Sequence, residues 1–391
     1  MLPQAFIDEY VAFIRAEQPD KPALMREKLV LAKKHGVKYT PSDIEILTHL
    51  SPAEHKEMKQ FLVTKPTRTG SGVTVVAVMT KPMKCPHGKC TYCPGGPGSV
   101  FGDVPQSYTG HEPATMRGMR AGYDAYIQVF NRLEQYVVLG QNPEKVELIL
   151  MGGTFPSYPD EYQDEVIRDI FKAMNDFSVL FYKKEVFDFE KFKAFFELPG
   201  KVGDDERAEK IQEKILEQKN KDYNKKSISE LQEENENSVI RCVGLTIETR
   251  PSHAKKEHGL KMLKQGCTRV ELGIQTTFDD VLEKVHRDHS VQDSIDAIAD
   301  LRNLGFKLNF HIMLGLPLMN PKRDMEALKR IFSDPDFQPD MIKIYPCMVM
   351  PGTALYHDYK AGKYAPYSTE QAAELIAEAT PLIPEYVRVM R

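Results

Sequence analysis

Six short apolar runs, rich in β-branched residues, recur along this chain at residues 73–79, 146–150, 239–247, 269–274, 306–310 and 341–344. Each is followed by a polar or glycine-bearing turn and then by a stretch with helical periodicity. Runs of this length and make-up predict buried strands, and the stretches between them are long enough to cross back over a sheet. Such alternation folds as parallel strands covered by helices. The expected class is α/β, a (βα)6 sheet or partial TIM-type barrel. Right-handed crossovers then bring all six strand ends onto one rim, where sites of βα barrels form.

The first run leads into Lys-Pro-Met-Lys-Cys-Pro-His-Gly-Lys-Cys-Thr-Tyr-Cys-Pro-Gly-Gly-Pro-Gly over residues 81–98. Cys85, Cys90 and Cys93 thus share one loop, with four and then two residues between them. Three thiolates suit an iron–sulfur cluster whose fourth iron stays open to a small chelating molecule. Pro86, Pro94, Gly88, Gly95, Gly96 and Gly98 favour a tight wrap over a helix. The competing reading is structural zinc, with His87 or a distant cysteine as fourth ligand. No second Cys-x2-Cys accompanies it, and six cysteines in 391 residues are too sparse for a disulfide framework.

Composition bounds the rest. The net charge is −4, so bulk charge does not make the molecule a polyanion binder. No apolar run approaches the roughly 20 residues that cross a bilayer. With no targeting segment and unpaired thiols, the expected compartment is the reducing cytoplasm. Residues 1–68 read as a helical module, with helix starts at Thr40–Asp43 and Ser51–Glu54. Between residues 56 and 89, seven cations (Lys56, Lys59, Lys65, Arg68, Lys81, Lys84, Lys89) face one acid, Glu57. That run is either a solvated face or a phosphate-backbone footprint of the kind a tRNA requires. Residues 114–139 and 159–174 read as helices. Residues 176–238 contain no strand signal, and 201–236 carry eight Lys/Arg and eleven Asp/Glu, which predicts a helical insertion into the core.

Polar residues gather at the expected strand ends: Gly152, Gly153 and Thr154, Glu248 and Arg250, Gln275, His311, Lys343 and Tyr345. Each has an ordinary explanation. Paired glycines can be a plain turn, Glu248 and Arg250 can pair with each other, and His311 can be a hydrogen-bonded core residue. Lys343, between Ile342 and Ile344, is the hardest to explain away, because a buried lysine needs an anion or a polar cavity. The glycines do not form the Gly-x-Gly-x-x-Gly fingerprint, which disfavours a nicotinamide enzyme.

A cysteine triad after the first strand of such a barrel resembles the radical S-adenosylmethionine enzymes, and the four-then-two spacing marks a subgroup. The segments 85–96, Gly-Gly-Thr-Phe-Pro (152–156), Glu-Thr-Arg-Pro (248–251), Glu-Leu-Gly-Ile-Gln-Thr (271–276) and Ile-Tyr-Pro-Cys (344–347) resemble the catalytic subunit of Elongator in its archaeal form. That resemblance implies a radical SAM barrel over residues 69–366, interrupted by the 176–238 insertion, and a tRNA-binding module over 1–68. It further implies a carboxymethyl group installed at C5 of the wobble uridine, with acetyl-CoA as co-substrate and the tRNA anticodon stem-loop as partner.

Carried over residue by residue, Cys85, Cys90 and Cys93 hold a 4Fe–4S cluster, whose open iron chelates S-adenosylmethionine and yields a 5′-deoxyadenosyl radical. Gly152, Gly153, Thr154, Glu248, Arg250 and Gln275 hold the S-adenosylmethionine, and Lys343 and Tyr345 act on the acetyl or uridine side. Lys56, Lys59, Lys65, Arg68, Lys81, Lys84 and Lys89 meet the tRNA. Ser252 departs from the acid expected after Arg-Pro. Family members continue into a zinc-bearing linker and an acetyltransferase domain. Residues 367–391 are expected to be a C-terminal helix and the start of that linker, so acetyl-CoA hydrolysis and transfer are expected to be poor. A homo-oligomer and accessory subunits are left open. The alternatives are a radical enzyme acting on a small molecule and a zinc-stabilised RNA-binding scaffold.

Overall fold

The computed structural model describes residues 2–200, 204–223 and 225–390; the side chain of Arg68 also lies outside the described residues. The chain forms two compact units that cut across the expected boundaries. The first comprises Met1–Val76, Tyr126–Glu147 and Arg168–Val243, and the second Ala77–Ala125, Leu148–Ile167 and Gly244–Arg391.

The first unit begins with four helices, α1 (Gln4–Glu17), α2 (Lys21–Lys34), α3 (Asp43–His49) and α4 (Pro52–Leu62). Their starts are written locally. Asp20 accepts from the Ala23 amide, Ser42 from Glu45, and Ser51 forms a reciprocal box with Glu54. Phe6, Tyr10, Ile14, Ile46, Leu47, Met58 and Leu62 fill the space between them. In the segment expected to be a helical insertion, Phe177, Phe181, Phe192 and Phe196 interlock, and Phe130 from outside the segment packs among them. Asn235 bonds Asn175 Oδ1 at 2.7 Å and the Ile240 carbonyl at 3.0 Å, which ties the insertion's last helix down. One expectation fails here, because a hairpin pairs Tyr182–Lys183 with Val186–Phe187. Its turn puts Lys184 and Glu185 at φ 48° and 65°, conformations that glycine or asparagine would have signalled and these residues hide.

The main sheet has seven strands. Its strands are β1 (Thr74–Met79), β2 (Lys145–Met151), β3 (Arg241–Thr249), β4 (Arg269–Gln275), β5 (Lys307–Leu314), β6 (Met341–Pro346) and β7 (Arg388–Val389), in that spatial order. They form a curled, parallel half-barrel of seven strands rather than six. The seventh is two residues long and pairs with β6 through Met341 and Ile342. The predicted helix over 114–139 is instead two, Pro113–Arg120 and Ala125–Val138, broken where Gly122 and Tyr123 take φ 56° and 60°. Among the described residues no helix is long and apolar enough to cross a membrane.

Register decides which side chains meet inside the half-barrel. Glu248 of β3 lies opposite Glu271 of β4, and His311 of β5 lies opposite Lys343 of β6. Alternation along a strand turns every second side chain inward, so these four share one face.

Candidate active site

The cysteine loop is pinned by a residue that sequence reading passed over. Buried Gln106 accepts from the Cys85 amide through Oε1 and donates to the Gly88 carbonyl at 3.0 Å through Nε2. Each sulfur has a polar partner beside it. Thr154 Oγ1 lies 3.6 Å from Cys85 Sγ, the Ser107 amide donates to Cys93 Sγ at 3.2 Å, and His87 Nε2 lies 3.3 Å from Cys90 Sγ. Burial pushes the Cys85 thiol up, and the Cys93 thiol up to about 11. A metal that displaces those protons is what would draw out the thiolates.

Zinc does not suit this geometry. Zn–S bonds of about 2.3 Å put tetrahedral sulfurs about 3.8 Å apart. Among the described residues, the sole set of three His, Cys, Asp or Glu donors within 4.8 Å of one another is Glu248, Glu271 and His311, with no cysteine in it. All six cysteines are unbridged. Three unbridged cysteines on one loop are a donor set that suits a cuboidal cluster with one iron left open.

The paired glycines adjoin that loop. Gly152 and Gly153 have φ 115° and 81°; a Cβ on the first would fall 2.5 Å from Thr80 Oγ1 and one on the second 2.5 Å from the Tyr158 hydroxyl. A Cβ on Gly153 would also stand 3.9 Å from Cys85 Sγ. The Gly152 carbonyl accepts from Thr80 Oγ1 at 2.7 Å and from Tyr158 OH, which uses both its lone pairs.

Arg250 and Glu248 do not pair with each other. Arg250 is 2% exposed and gives Nη2 to the carbonyls of Arg287 and Asp288, while its Nε and Nη1 meet no acceptor among the described residues. Gln275 sits at an irregularity of β4 with φ 71°, buried, its Oε1 unpartnered. Glu248 accepts from Tyr108 OH at 3.0 Å, and burial pushes its carboxyl up.

Around them lies a polar cluster. Lys343 donates to Glu271 Oε2 and stands 3.7 Å from Glu248 Oε1, so this buried lysine has the anion that its position demands. His311 Nε2 lies 2.7 Å from the same Glu271 oxygen. Burial works to raise the Glu271 carboxyl, but the hydrogen bond and charge of His311, with Lys343 beside it, outweigh burial and hold it below the usual carboxylate range. Burial likewise opposes the Lys343 charge, and the two carboxylates overcome it and hold the ammonium up. Tyr345 contacts the His311 ring edge-on at 5.8 Å.

The sheet thus brings Lys343, Tyr345, Glu248 and the unforeseen Glu271 together, and the loop brings Cys85 beside Gly153 and Thr154. Arg287, Tyr108, Gln106 and Asn309 also went unforeseen. Asn309 is fully buried with neither amide atom partnered among the described residues. Lys56 and Lys65 are exposed and Lys59 half-buried in the first unit, and Lys81, Lys84 and Lys89 are exposed in the second. None of the six makes an ion pair among the described residues, whereas Glu57 is taken by Arg15 at 2.8 Å. A cavity in the first unit, lined by His55, Lys59, Gln141, Tyr182 and Phe187 among others, holds no expected site residue besides Lys59.

Three family profiles match the chain: the ELP3 N-terminal domain over residues 10–70, the Radical SAM superfamily over 218–331 and the Radical_SAM C-terminal domain over 339–391. The chain is 41% identical over 390 residues to a tRNA uridine(34) acetyltransferase of Methanocaldococcus jannaschii, a match covering 99% of this chain and 63% of that protein. It is 36% identical over 380 residues to Elongator complex protein 3 of Bos taurus, covering 96% of this chain and 61% of that one. A solved structure of Methanocaldococcus infernus Elp3 lacking residues 1–46 superposes with TM-score 0.59 at 34% identity, over 82% of this chain and 56% of that one. The chain spans about three fifths of the length of these curated relatives.

Proposed function

The chain belongs to the Elongator catalytic-subunit family of radical S-adenosylmethionine enzymes, and on that premise we propose that it takes part in forming 5-carboxymethyluridine at the wobble position of tRNA, with acetyl-CoA as the carbon donor. The observation that carries the proposal is the loop of Cys85, Cys90 and Cys93, unbridged and adjoining a glycine pair with positive φ. Those three thiolates would hold a 4Fe–4S cluster. When bound, the cluster and S-adenosylmethionine supply one-electron reductive chemistry.

Everything else falls to side chains of this chain. Gly153 and Thr154 offer backbone and hydroxyl contacts beside Cys85. Arg250, whose Nε and Nη1 meet no acceptor among the described residues, and Gln275, whose Oε1 meets no donor among them, offer a donor and an acceptor for the carboxylate and ribose of S-adenosylmethionine. Glu248, with its carboxyl pushed up by burial, serves the same ligand. Lys343 and Tyr345 face the acetyl or uracil group. Lys56, Lys59, Lys65, Lys81, Lys84 and Lys89, unpaired with any acid among the described residues, meet tRNA phosphates; the side chain of Arg68, the seventh expected contact, lies outside the described residues. Assignment of residues 1–68 to tRNA binding rests on this same charge.

The test is anaerobic reconstitution with iron and sulfide, followed by an assay for 5′-deoxyadenosine with and without tRNA. We expect a visible cluster absorbance and S-adenosylmethionine cleavage. A chain that takes up zinc but no absorbing cluster would be an RNA-binding scaffold. One that cleaves S-adenosylmethionine but never retards tRNA in a gel, even at low salt, would be a small-molecule enzyme.

A further inference from the structure

Two guanidiniums, that of buried Arg250 and that of half-buried Arg287, stand beside the cysteine loop with N–H groups that meet no acceptor among the described residues. Arg287 donates from Nη2 to the Gly273 carbonyl at 2.9 Å and from Nη1 to Cys90 Sγ at 3.6 Å, and its Nε meets nothing among the described residues. It fits because residue 273 is glycine; a Cβ there would fall on the guanidinium fork. Arg250 lies against it and donates to its carbonyl. Among the described residues the carboxylate within ion-pair reach of this pair is Asp288, 3.5 Å from Arg250 Nη2 with a side chain 69% exposed. Buried cations without a matching anion are strongly disfavoured, so the fold expects negative charge at this place.

That charge has a specific address. Cys90 Sγ receives the Arg287 guanidinium and has His87 Nε2 3.3 Å away, which donates to a thiolate when that nitrogen carries the proton. Cys93 receives one backbone amide and Cys85 one hydroxyl. The contacts are therefore unequally distributed over the three sulfurs, and among the described residues Cys90 alone is hydrogen-bonded by a cationic side chain.

Resting on the radical-enzyme reading above, we propose that Arg287, with His87, makes Cys90 the most electron-poor corner of the bound 4Fe–4S cluster and raises its reduction potential. Arg287 is a positioning residue for the electron, not a ligand. Uptake of one electron from a low-potential donor, such as dithionite or a reduced flavoprotein, makes the cluster unit one charge more negative and breaks no bond. N–H groups aimed at sulfur, and a positive charge beside it, favour that reduced form over the oxidised one.

The experiment is an anaerobic redox titration followed by electron paramagnetic resonance, which reads the midpoint potential without any turnover. Unaltered protein is compared with Arg287→Met, Arg287→Lys and His87→Ala, each checked for cluster content. We expect Arg287→Met to titrate at a more negative potential; a tenfold loss of preference for the reduced form corresponds to about 59 mV for one electron. Arg287→Lys keeps the charge but not the fork and should shift less, and His87→Ala should shift in the same direction. Identical potentials in proteins that all carry the cluster would overturn the inference while leaving the radical-enzyme reading intact. If Arg287→Met fails to hold a cluster, unmoved potentials in Arg287→Lys and His87→Ala overturn it just as firmly. If the unaltered chain takes up no cluster, both readings fall.

Discussion

Replacing Glu271 by glutamine tests the polar interior of the half-barrel. The Glu271 side chain is 0% exposed and accepts from both Lys343 and His311 on one oxygen. Removing one partner of a buried ion pair costs about 3–5 kcal/mol, because the other charge is left behind. Two features reduce that figure. Glu248 Oε1 remains 3.7 Å from the Lys343 ammonium, whose side chain is 14% exposed, and the glutamine oxygen still accepts a hydrogen bond. The expected loss is therefore about 2–3 kcal/mol near neutral pH. It should appear in urea unfolding as a lower midpoint at unchanged slope. The sign of the pH dependence follows from the depressed Glu271 carboxyl. Its stabilisation is complete above the ordinary value of 4.5 and is lost as pH falls toward the lower folded value. The gap between the two proteins should thus be widest near neutrality and narrow in acid. A gap below about 0.5 kcal/mol near pH 7, or one that widens in acid, would refute the reasoning.

Cys90→Ala should abolish S-adenosylmethionine cleavage while tRNA retardation in a gel stays nearly intact; loss of both would make the loop a folding element. Gly153→Ala meets strain at φ 81° and the Tyr158 hydroxyl, whereas Gly36→Ala meets φ 69° with open space around it. Urea unfolding should show about 1 kcal/mol lost at Gly36 and clearly more at Gly153, with S-adenosylmethionine binding, read by equilibrium dialysis, weakened only by the second. Replacing Lys56, Lys59 and Lys65 together by alanine should flatten the dependence of log affinity for tRNA on log salt, by roughly 0.7–0.9 for each phosphate contact removed. An unchanged slope would return those lysines to the role of solvated surface.

The strands were legible because burial of a β-branched run is a local property. β7 was not, since two residues acquire strand character only through the Arg388 amide on Asp340 and the Met390 amide on Ile342. Where local chemistry carried the information, as in the Ser51–Glu54 capping box, expectation and structure agree. Where backbone sign decided the outcome, as at Tyr123 and Lys184, the side chain gave no notice. The candidate site divides the same way. Strand-end position marked Glu248, Lys343 and Tyr345. Glu271 sits in a seven-residue strand buried throughout, so it read as strand first and as a charge second. Arg287 reaches Cys90 across 197 positions of sequence, and Tyr108 reaches Glu248 across 140, distances over which spacing carries no signal.

Two register neighbours, Glu248 and Glu271, end up with opposite tendencies, and the reason bears on Lys343. Adjacent buried carboxylates ionise together only at high cost. Lys343 bonds Glu271 directly and reaches Glu248 only at 3.7 Å, and His311 adds its hydrogen bond to Glu271 alone. Glu271 therefore keeps the negative charge. Glu248, capped by the Tyr108 hydroxyl and pushed up by burial, tends toward the neutral acid. The Lys343 ammonium, held up by both carboxylates, has no tendency to release its proton near neutrality. A role for Lys343 as general base is thereby disfavoured. What it can give a carbonyl of an acetyl or uracil group is a fixed, charged hydrogen-bond donor, oriented by Glu271 from behind.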